Sequence, residues 1–350
     1  MEIGVIGYGY WGPNLVRNLV ENNLCKRVVV CDARPGRLEA ARRRWPGIET
    51  RDTMASVVED PAIDAVLIAT PIATHAPLAI RALEEGKHVF VEKPMAASPE
   101  EAERLLETAR RTQRTLMVGH TFLFSPPVAK TREIIRSGEL GQVVFVTSTR
   151  VNLGLHQKDV SVIWDLGPHD FSILLHLLDE CPYSLSACGR AFVREPIADV
   201  AFINMRFLSG AVGTITVSWL APSKIRKLTV VGSRKMLVYD DCEPSEKVKV
   251  FDKGVEFKEP QTFGEFQLSY RTGDIYSPRI DNSEPIRNEL THFIHCCETG
   301  EVPLSDARFG LNVVKALAAA EESLRNDGHP VALVGLAARE RRSRAAAAAS

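Results

Sequence analysis

Residues 1–20 read MEIGVIGYGYWGPNLVRNLV, an apolar run at Ile3–Ile6, glycines at 7, 9 and 12, and then a helical pattern. Strand, Gly7-Tyr8-Gly9-Tyr10-Trp11-Gly12, helix is the order of a dinucleotide-binding turn. In that turn glycines permit a tight bend, close approach of backbone to a pyrophosphate, and close packing of helix on strand. Amides at the helix N-terminus hold the phosphates. A lone G-x-G-x-x-G is weak, because glycine-rich turns are common. Here Asp32 ends the next apolar run, 20 residues after Gly12, where a carboxylate accepts the hydroxyls of an adenosine ribose. The plain alternative is an empty α/β turn with a solvated aspartate; the joint occurrence favours binding. Asp32 also repels the 2′-phosphate of NADP, which selects NAD, although Arg34 and Arg37 stand where an arginine could take that phosphate.

Working outward, short apolar runs at Val28–Cys31, Ala65–Ala69, His88–Val91 and Leu116–Val118 alternate with helical patterns, as in a parallel sheet covered by helices. Ser98-Pro99-Glu100-Glu101 supplies an N-cap serine, a first-turn proline and a glutamate at the third helical position, a capping box. After Gly119 the character changes to largely antiparallel strands: Gln142–Thr149, Ser184–Phe192, Val200–Phe207, Ala211–Trp219, Lys227–Val231 and Met236–Tyr239. Helices are expected at about Pro168–Leu178, Glu284–Thr299 and Ala307–Arg325. The fold class is therefore an α/β dinucleotide-binding Rossmann domain, residues 1–120, plus an α+β domain with a large, mostly antiparallel open sheet, residues 121–334. Residues 335–350, arginine-rich and then polyalanine, read as a tail.

The 350 residues carry a net charge of −1, which gives no electrostatic reason to bind nucleic acid or an anionic membrane. No apolar run approaches the roughly 18 residues of a membrane span, and the N-terminus does not read as a signal peptide. Seven scattered cysteines without a C-x-x-C suit a reducing compartment, and the cytoplasm is expected. His292, His295, Cys296 and Cys297 resemble a metal cluster in spacing but lack a separate ligand pair, so no metal is expected.

Two stretches carry candidate chemistry. Val89-Phe90-Val91-Glu92-Lys93-Pro94 delivers a charged pair at the carboxyl end of a strand, the edge where open parallel sheets bind ligands. A partly desolvated lysine there can exchange a proton with a hydroxyl; a surface Glu-Lys pair is the plain alternative. Trp164-Asp165-Leu166-Gly167-Pro168-His169-Asp170 places Asp165 and His169 four apart, on one helical face. With proline in the first turn the helix starts near Leu166 and Asp165 is its N-cap, which by itself would account for Asp165; His169 would then be a core histidine. A carboxylate, an imidazole and a lysine together make a proton-handling set.

The fingerprint, Ala69-Thr70-Pro71 with Thr74-His75, Glu92-Lys93-Pro94, and Asp165 with His169 resemble the glucose–fructose oxidoreductase, inositol dehydrogenase and rhizopine-catabolism (Gfo/Idh/MocA) family across residues 1–328. Within it, residues 8–15 and 164–170 most resemble the sugar-nucleotide 3-dehydrogenases. The resemblance implies that Lys93, Asp165 and His169 surround a sugar and the nicotinamide, with either Lys93 or His169 as the base. It implies that Thr70, Pro71, His75 and Glu92 line the cofactor, beside Gly7, Tyr8, Gly9, Tyr10, Trp11, Gly12, Asp32 and Arg34. Arg150, Asn152 and His156, after or near the end of the strand Gln142–Thr149, are further candidates for substrate contacts, with surface roles as the alternative. The expected reaction is NAD-dependent oxidation of a secondary sugar hydroxyl, with C3 of UDP-N-acetylglucosamine or its uronate preferred. An inositol or free-sugar dehydrogenase and a non-catalytic dinucleotide-binding regulator are the alternatives. The open sheet is expected to form a homo-oligomer, a dimer or tetramer.

Overall fold

The structure is a computed structural model that describes residues 1–257 and 268–333, so the expected tail lies outside the described residues. The chain divides into two compact units, Met1–Ser125 with Ser283–Ala318, and Pro126–Asn282 with Ala319 onward.

The first unit is built on six strands, β1 (Glu2–Ile6), β2 (Arg27–Cys31), β3 (Glu49–Arg51), β4 (Ala65–Ile68), β5 (His88–Glu92) and β6 (Leu116–Gly119). They lie in the order β3-β2-β1-β4-β5-β6, every pair parallel. Their helices are α1 (Gly12–Val20), α2 (Pro35–Arg44), α3 (Met54–Val58), α4 (His75–Glu84) and α5 (Pro99–Thr112). β3 and α3 were not expected; Glu49-Thr50-Arg51 has no apolar run to announce it and pairs only along one edge of β2. Strand order reverses between β1 and β4, and in such sheets ligands bind outside the carboxyl ends at that reversal. The capping box forms at α5: Ser98 Oγ accepts from Glu101 N–H at 3.3 Å and Glu101 Oε2 accepts from Ala97 N–H at 3.0 Å.

Residues Ser283–Ala318, expected with the second domain, belong to the first unit. Burial explains this. Leu290, Phe293 and Ile294 of α8 (Pro285–Thr299) enter one core with Val5, Leu15, Leu67 and Phe90, and the Phe90 and Phe293 rings meet edge to face at 5.7 Å.

The second unit holds a nine-stranded sheet in the order β14-β13-β12-β11-β7-β10-β9-β8-β15. Its strands are β7 (Val143–Val151), β8 (Ser184–Arg190), β9 (Val200–Arg206), β10 (Val212–Ser218), β11 (Ile225–Gly232), β12 (Met236–Asp240), β13 (Val248–Phe257), β14 (Leu268–Tyr276) and β15 (Val331–Ala332). Among the described residues of this sheet only β7 and β10 pair in parallel; the other pairs are antiparallel. β13 and β14 went unexpected because Lys249, Asp252, Lys253 and Gly254 interrupt any apolar alternation.

Helices α6 (Pro126–Arg136) and α7 (Val162–Leu178) pack on this sheet, and α9 (Ala307–Arg325) closes the chain before β15. The expected start of α7 is corrected. Its N-cap is Ser161, whose carbonyl accepts from Trp164 and Asp165 N–H at 3.1 Å each, so Asp165 is inside the helix and caps nothing. Pro168 sits mid-helix, where it removes a backbone bond at a cost of about 3 kcal/mol. Burial of Val162, Ile163, Phe171, Leu174 and Leu175 along the same helix offsets that cost.

Candidate active site

In the first unit the loop after β1 leaves no room for a side chain at Gly7 or Gly12. Gly7 has φ +101°, and a Cβ there would lie 2.5 Å from the Ala69 carbonyl oxygen; a Cβ at Gly12 would overlap the Gly7 carbonyl. Gly9 faces the Arg37 guanidinium, 3.2 Å from where its Cβ would be. Tyr8 is buried, whereas Tyr10 is 86% exposed and stands edge-on to Trp11 at 5.8 Å.

Asp32 is buried at the end of β2. Tyr8 N–H donates to its Oδ2 at 2.8 Å, Arg34 N–H to its Oδ1 at 2.9 Å, and Arg37 to Oδ2 at 3.2 Å. Burial works to raise this carboxyl, but those donors outweigh it and hold Asp32 below the usual carboxylate range. A carboxylate offers about four acceptor sites and three are taken, so one remains for a ribose hydroxyl. The Arg34 side chain is 66% exposed, with Nε 3.7 Å from Asp32. A glycine cradle closed to a Cβ at Gly7 and Gly12, leading into a helix N-terminus beside an ionised carboxylate, fits a dinucleotide.

The carboxyl ends of β4 and β5 gather the other candidates of this unit. His75 is buried, with Nδ1 2.8 Å from the Pro94 carbonyl and Nε2 2.9 Å from the Thr70 carbonyl. Burial pushes the imidazole down, and the two carbonyls oppose this. The Thr70 and Thr74 hydroxyls are 2.6 Å apart, and Pro71 is exposed. Lys93 is half-buried, and its charge acts on Glu92, His75 and His120. Glu92 is buried, and burial lifts its carboxyl to about 7.

Three polar residues here carried no signal in the sequence. His120, directly after β6, is buried with neither ring nitrogen partnered among the described residues, and burial, followed by the Lys93 charge, takes it down to about 3. Glu289 on α8 is fully buried, and Thr121 Oγ1 donates to its Oε2 at 2.7 Å. Burial and the Glu92 charge raise Glu289 well above the ordinary carboxyl range.

In the second unit Asp165 and His169 share one face of α7, both half-buried. The buried Trp219 indole donates to Asp165 Oδ2 at 2.9 Å, and the His156 ring lies 5.2 Å from Trp219. Asn152 N–H donates to the Ser218 carbonyl at 3.2 Å. Arg150 lies within β7, inside the strand and not after its end, and is buried: its Nε donates to Asp170 Oδ2 at 2.7 Å. Trp219 was missed as a partner of Asp165; its only signal was that a buried indole N–H requires an acceptor.

Among the described residues no group of three or more His, Cys, Asp or Glu is arranged to hold a metal ion, and no helix is long and apolar enough to cross a membrane. His292 Nε2 instead accepts from Leu304 N–H at 3.0 Å and lies 3.4 Å from Cys296 Sγ.

Residues 1–120 match the description "Oxidoreductase family, NAD-binding Rossmann fold", and residues 128–238 match "GFO/IDH/MocA C-terminal domain". The chain belongs to the Gfo/Idh/MocA oxidoreductase family. It is 30% identical over 346 residues to the scyllo-inositol 2-dehydrogenase (NAD(+)) of Bacillus subtilis (strain 168), covering 95% of each chain. It is 28% identical over 339 residues to the inositol 2-dehydrogenase of Rhizobium meliloti (strain 1021), covering 93% of this chain and 96% of that one. The structure of UDP-N-acetylglucosamine 3-dehydrogenase GnnA from Acidithiobacillus ferrooxidans shares the fold, with a TM-score of 0.75, 21% identity, and coverage of 93% of this chain and 98% of that one. The first unit of this Gfo/Idh/MocA member is thus an NAD-binding domain, and the protein is an NAD-dependent oxidoreductase of the sugar and polyol dehydrogenase class.

Proposed function

We propose that the protein oxidises a secondary hydroxyl of a cyclic polyol of the inositol class to the ketone. The observation that carries this reading is the similarity to an NAD(+) scyllo-inositol 2-dehydrogenase along 95% of both chains. Bound NAD supplies the hydride acceptor. The glycine cradle would seat its pyrophosphate and Asp32 its adenosine ribose, with Thr70, Pro71 and His75 beside them at the end of β4. Lys93 or His169 takes the hydroxyl proton, and Asp165, fixed by the Trp219 indole, orients its helix neighbour. Arg150 is spent on Asp170, which favours Asn152 and His156 over it for substrate contact. A second reading, oxidation at C3 of UDP-N-acetylglucosamine or its uronate, rests on the motifs at 8–15 and 164–170.

NADH formation should be measured with scyllo-inositol, myo-inositol, glucose, UDP-N-acetylglucosamine and its uronate, with mass spectrometry of the products. Turnover of an inositol, lowered about 100-fold or more in Lys93→Met or His169→Ala, is the expected result. Turnover of a nucleotide sugar alone would replace the first reading by the second, and full activity in both variants would remove these residues from the proton step.

We also propose that the open sheet pairs two copies of the chain. Val212, Phe145, Val231, Met236, Phe251 and Ile275 occupy one cross-strand row of successive partners. By strand alternation the row lies opposite the buried Val146, Ile215 and Leu237, which face the helices. Val212 and Ile275 are 50% and 54% exposed, an apolar row that a second copy would cover. Sedimentation velocity should show an oligomer that Phe145→Glu disperses; a monomeric wild type would rule this out.

A further inference from the structure

The three glycines of the loop after β1 are bare for different reasons. At Gly7 and Gly12 an added Cβ would strike backbone, the Ala69 and Gly7 carbonyls, so the fold itself demands them. At Gly9 the three nearest heavy atoms beyond its chain neighbours all belong to the Arg37 guanidinium, with Nη1 at 3.2 Å from such a Cβ and Cζ and Nη2 at 3.7 Å. Gly9 is the second glycine of G-x-G-x-x-G, the one whose bareness lets backbone approach a pyrophosphate. A cation therefore stands in the space that approach needs. It comes from the first turn of α2, and its side chain is 34% exposed.

The start of α1 is short of donors for a phosphate. Pro13 has no N–H, and the Asn14 and Leu15 amides both donate to the Trp11 carbonyl, at 2.9 and 3.2 Å. Its first turn, Gly12-Pro13-Asn14-Leu15, contains no acidic side chain to repel an anion. Arg37 can make up the shortfall. A guanidinium carries N–H donors in a planar fork suited to phosphate, and among the described residues the Arg37 side chain spends one of them, Nη1 on Asp32 Oδ2 at 3.2 Å. Asp32 has the complementary shortage. With Tyr8, Arg34 and Arg37 upon it, one acceptor site of about four is left, whereas an adenosine ribose brings both its 2′- and 3′-hydroxyls.

We propose that Arg37 is the cation of the pyrophosphate site and changes partner when NAD binds, yielding Asp32 Oδ2 to a ribose hydroxyl and turning its guanidinium to the phosphates over Gly9. The move couples the two ends of the adenosine diphosphate. The ribose takes the acceptor that Arg37 gives up, and the pyrophosphate takes the guanidinium. Arg37 then has no part in reading a 2′-phosphate, so the preference for NAD over NADP is left to the Asp32 carboxylate. NAD binding alone is at stake, whichever alcohol the enzyme oxidises.

Binding to the whole chain, without turnover, tests the exchange. Adenosine, ADP, NAD and NADP should be titrated as competitors of NADH fluorescence on wild type, Arg37→Met and Arg37→Lys. Arg37→Met should weaken ADP and NAD about 10- to 100-fold through loss of a charge-assisted phosphate contact. It should leave adenosine no weaker, because the ribose no longer competes for Asp32 Oδ2. NADP should weaken by the same factor as NAD. Arg37→Lys keeps the charge without the planar fork and should recover part of the ADP affinity. Raising NaCl from about 0.05 to about 0.5 M should narrow the gap between wild type and Arg37→Met for ADP. Should Arg37→Met not fold, the same pattern, a smaller loss for ADP and none for adenosine, is read from Arg37→Lys. Equal weakening of adenosine and ADP would assign Arg37 to the base and ribose and overturn the proposal, as would a loss confined to NADP or an unchanged ADP affinity.

Discussion

Asp170 in the second unit and Glu92 and Glu289 in the first are carboxyls removed from water, and the chain surrounds them differently. Asp170 is 2% exposed; Ser148 Oγ donates to Oδ1 at 2.6 Å and Arg150 Nε to Oδ2 at 2.7 Å, so a full cation and a hydroxyl meet it inside the sheet–helix layer. Glu92 and Glu289 between them receive one hydroxyl and one long backbone contact. Burial alone therefore does not separate a structural charge from a working one. Compensation does: a paired buried charge fixes a register of strand against helix, whereas burial without a cation partner raises a carboxyl's hold on its proton.

The sharpest way to break this comparison is to remove each carboxylate and read the sign. Asp170→Ala strips the counter-charge from Arg150 and should cost about 3–5 kcal/mol in urea unfolding at neutral pH. A loss under about 1 kcal/mol would mean the pair contributes nothing. Glu92→Gln should act in the opposite direction. Its carboxyl is raised from 4.5 to about 7 by burial, so the fold prefers the protonated form. The stability tied to that proton is complete below about pH 4.5 and is lost as pH rises through about 7. Relative to wild type, Glu92→Gln should gain roughly 1–3 kcal/mol across that window, measured as urea midpoints against pH. Parallel curves for the two proteins would place the Glu92 carboxylate in a solvated or paired setting and erase the contrast.

What the sequence disclosed depended on whether a signal was local. The glycines at 7, 9 and 12 with Asp32 are readable because turn geometry and the β2 terminus impose residue types at fixed spacing. The place of Lys93, directly after β5, was legible for the same reason, since an apolar strand stops there. Glu289 was not. In the run Asn288-Glu289-Leu290-Thr291 it has the look of any helix glutamate, and only its packing beside Thr121, 168 residues earlier, shows that it is dry. His120 and Asp170 were passed over likewise, since burial is a property of contacts far apart in the chain. The α7 start was misread by trusting a proline over a serine: Ser161 caps the helix seven residues before Pro168, and buried apolar residues carry the helix through.

The return of Ser283–Ala318 to the first unit has a consequence for synthesis. On the ribosome, the six-stranded sheet is fully translated once Gly119 has emerged, yet Leu290, Phe293 and Ile294 of its core are still unmade. At typical elongation rates of about 5–20 residues per second, the nascent sheet waits roughly 10–40 s for them, while the whole intervening β-rich segment is threaded out. The sheet that begins first is completed only after the whole β-rich segment, so a ribosome stalled before Ser283 carries an unsealed apolar face, a natural client for a chaperone that shields nascent chains.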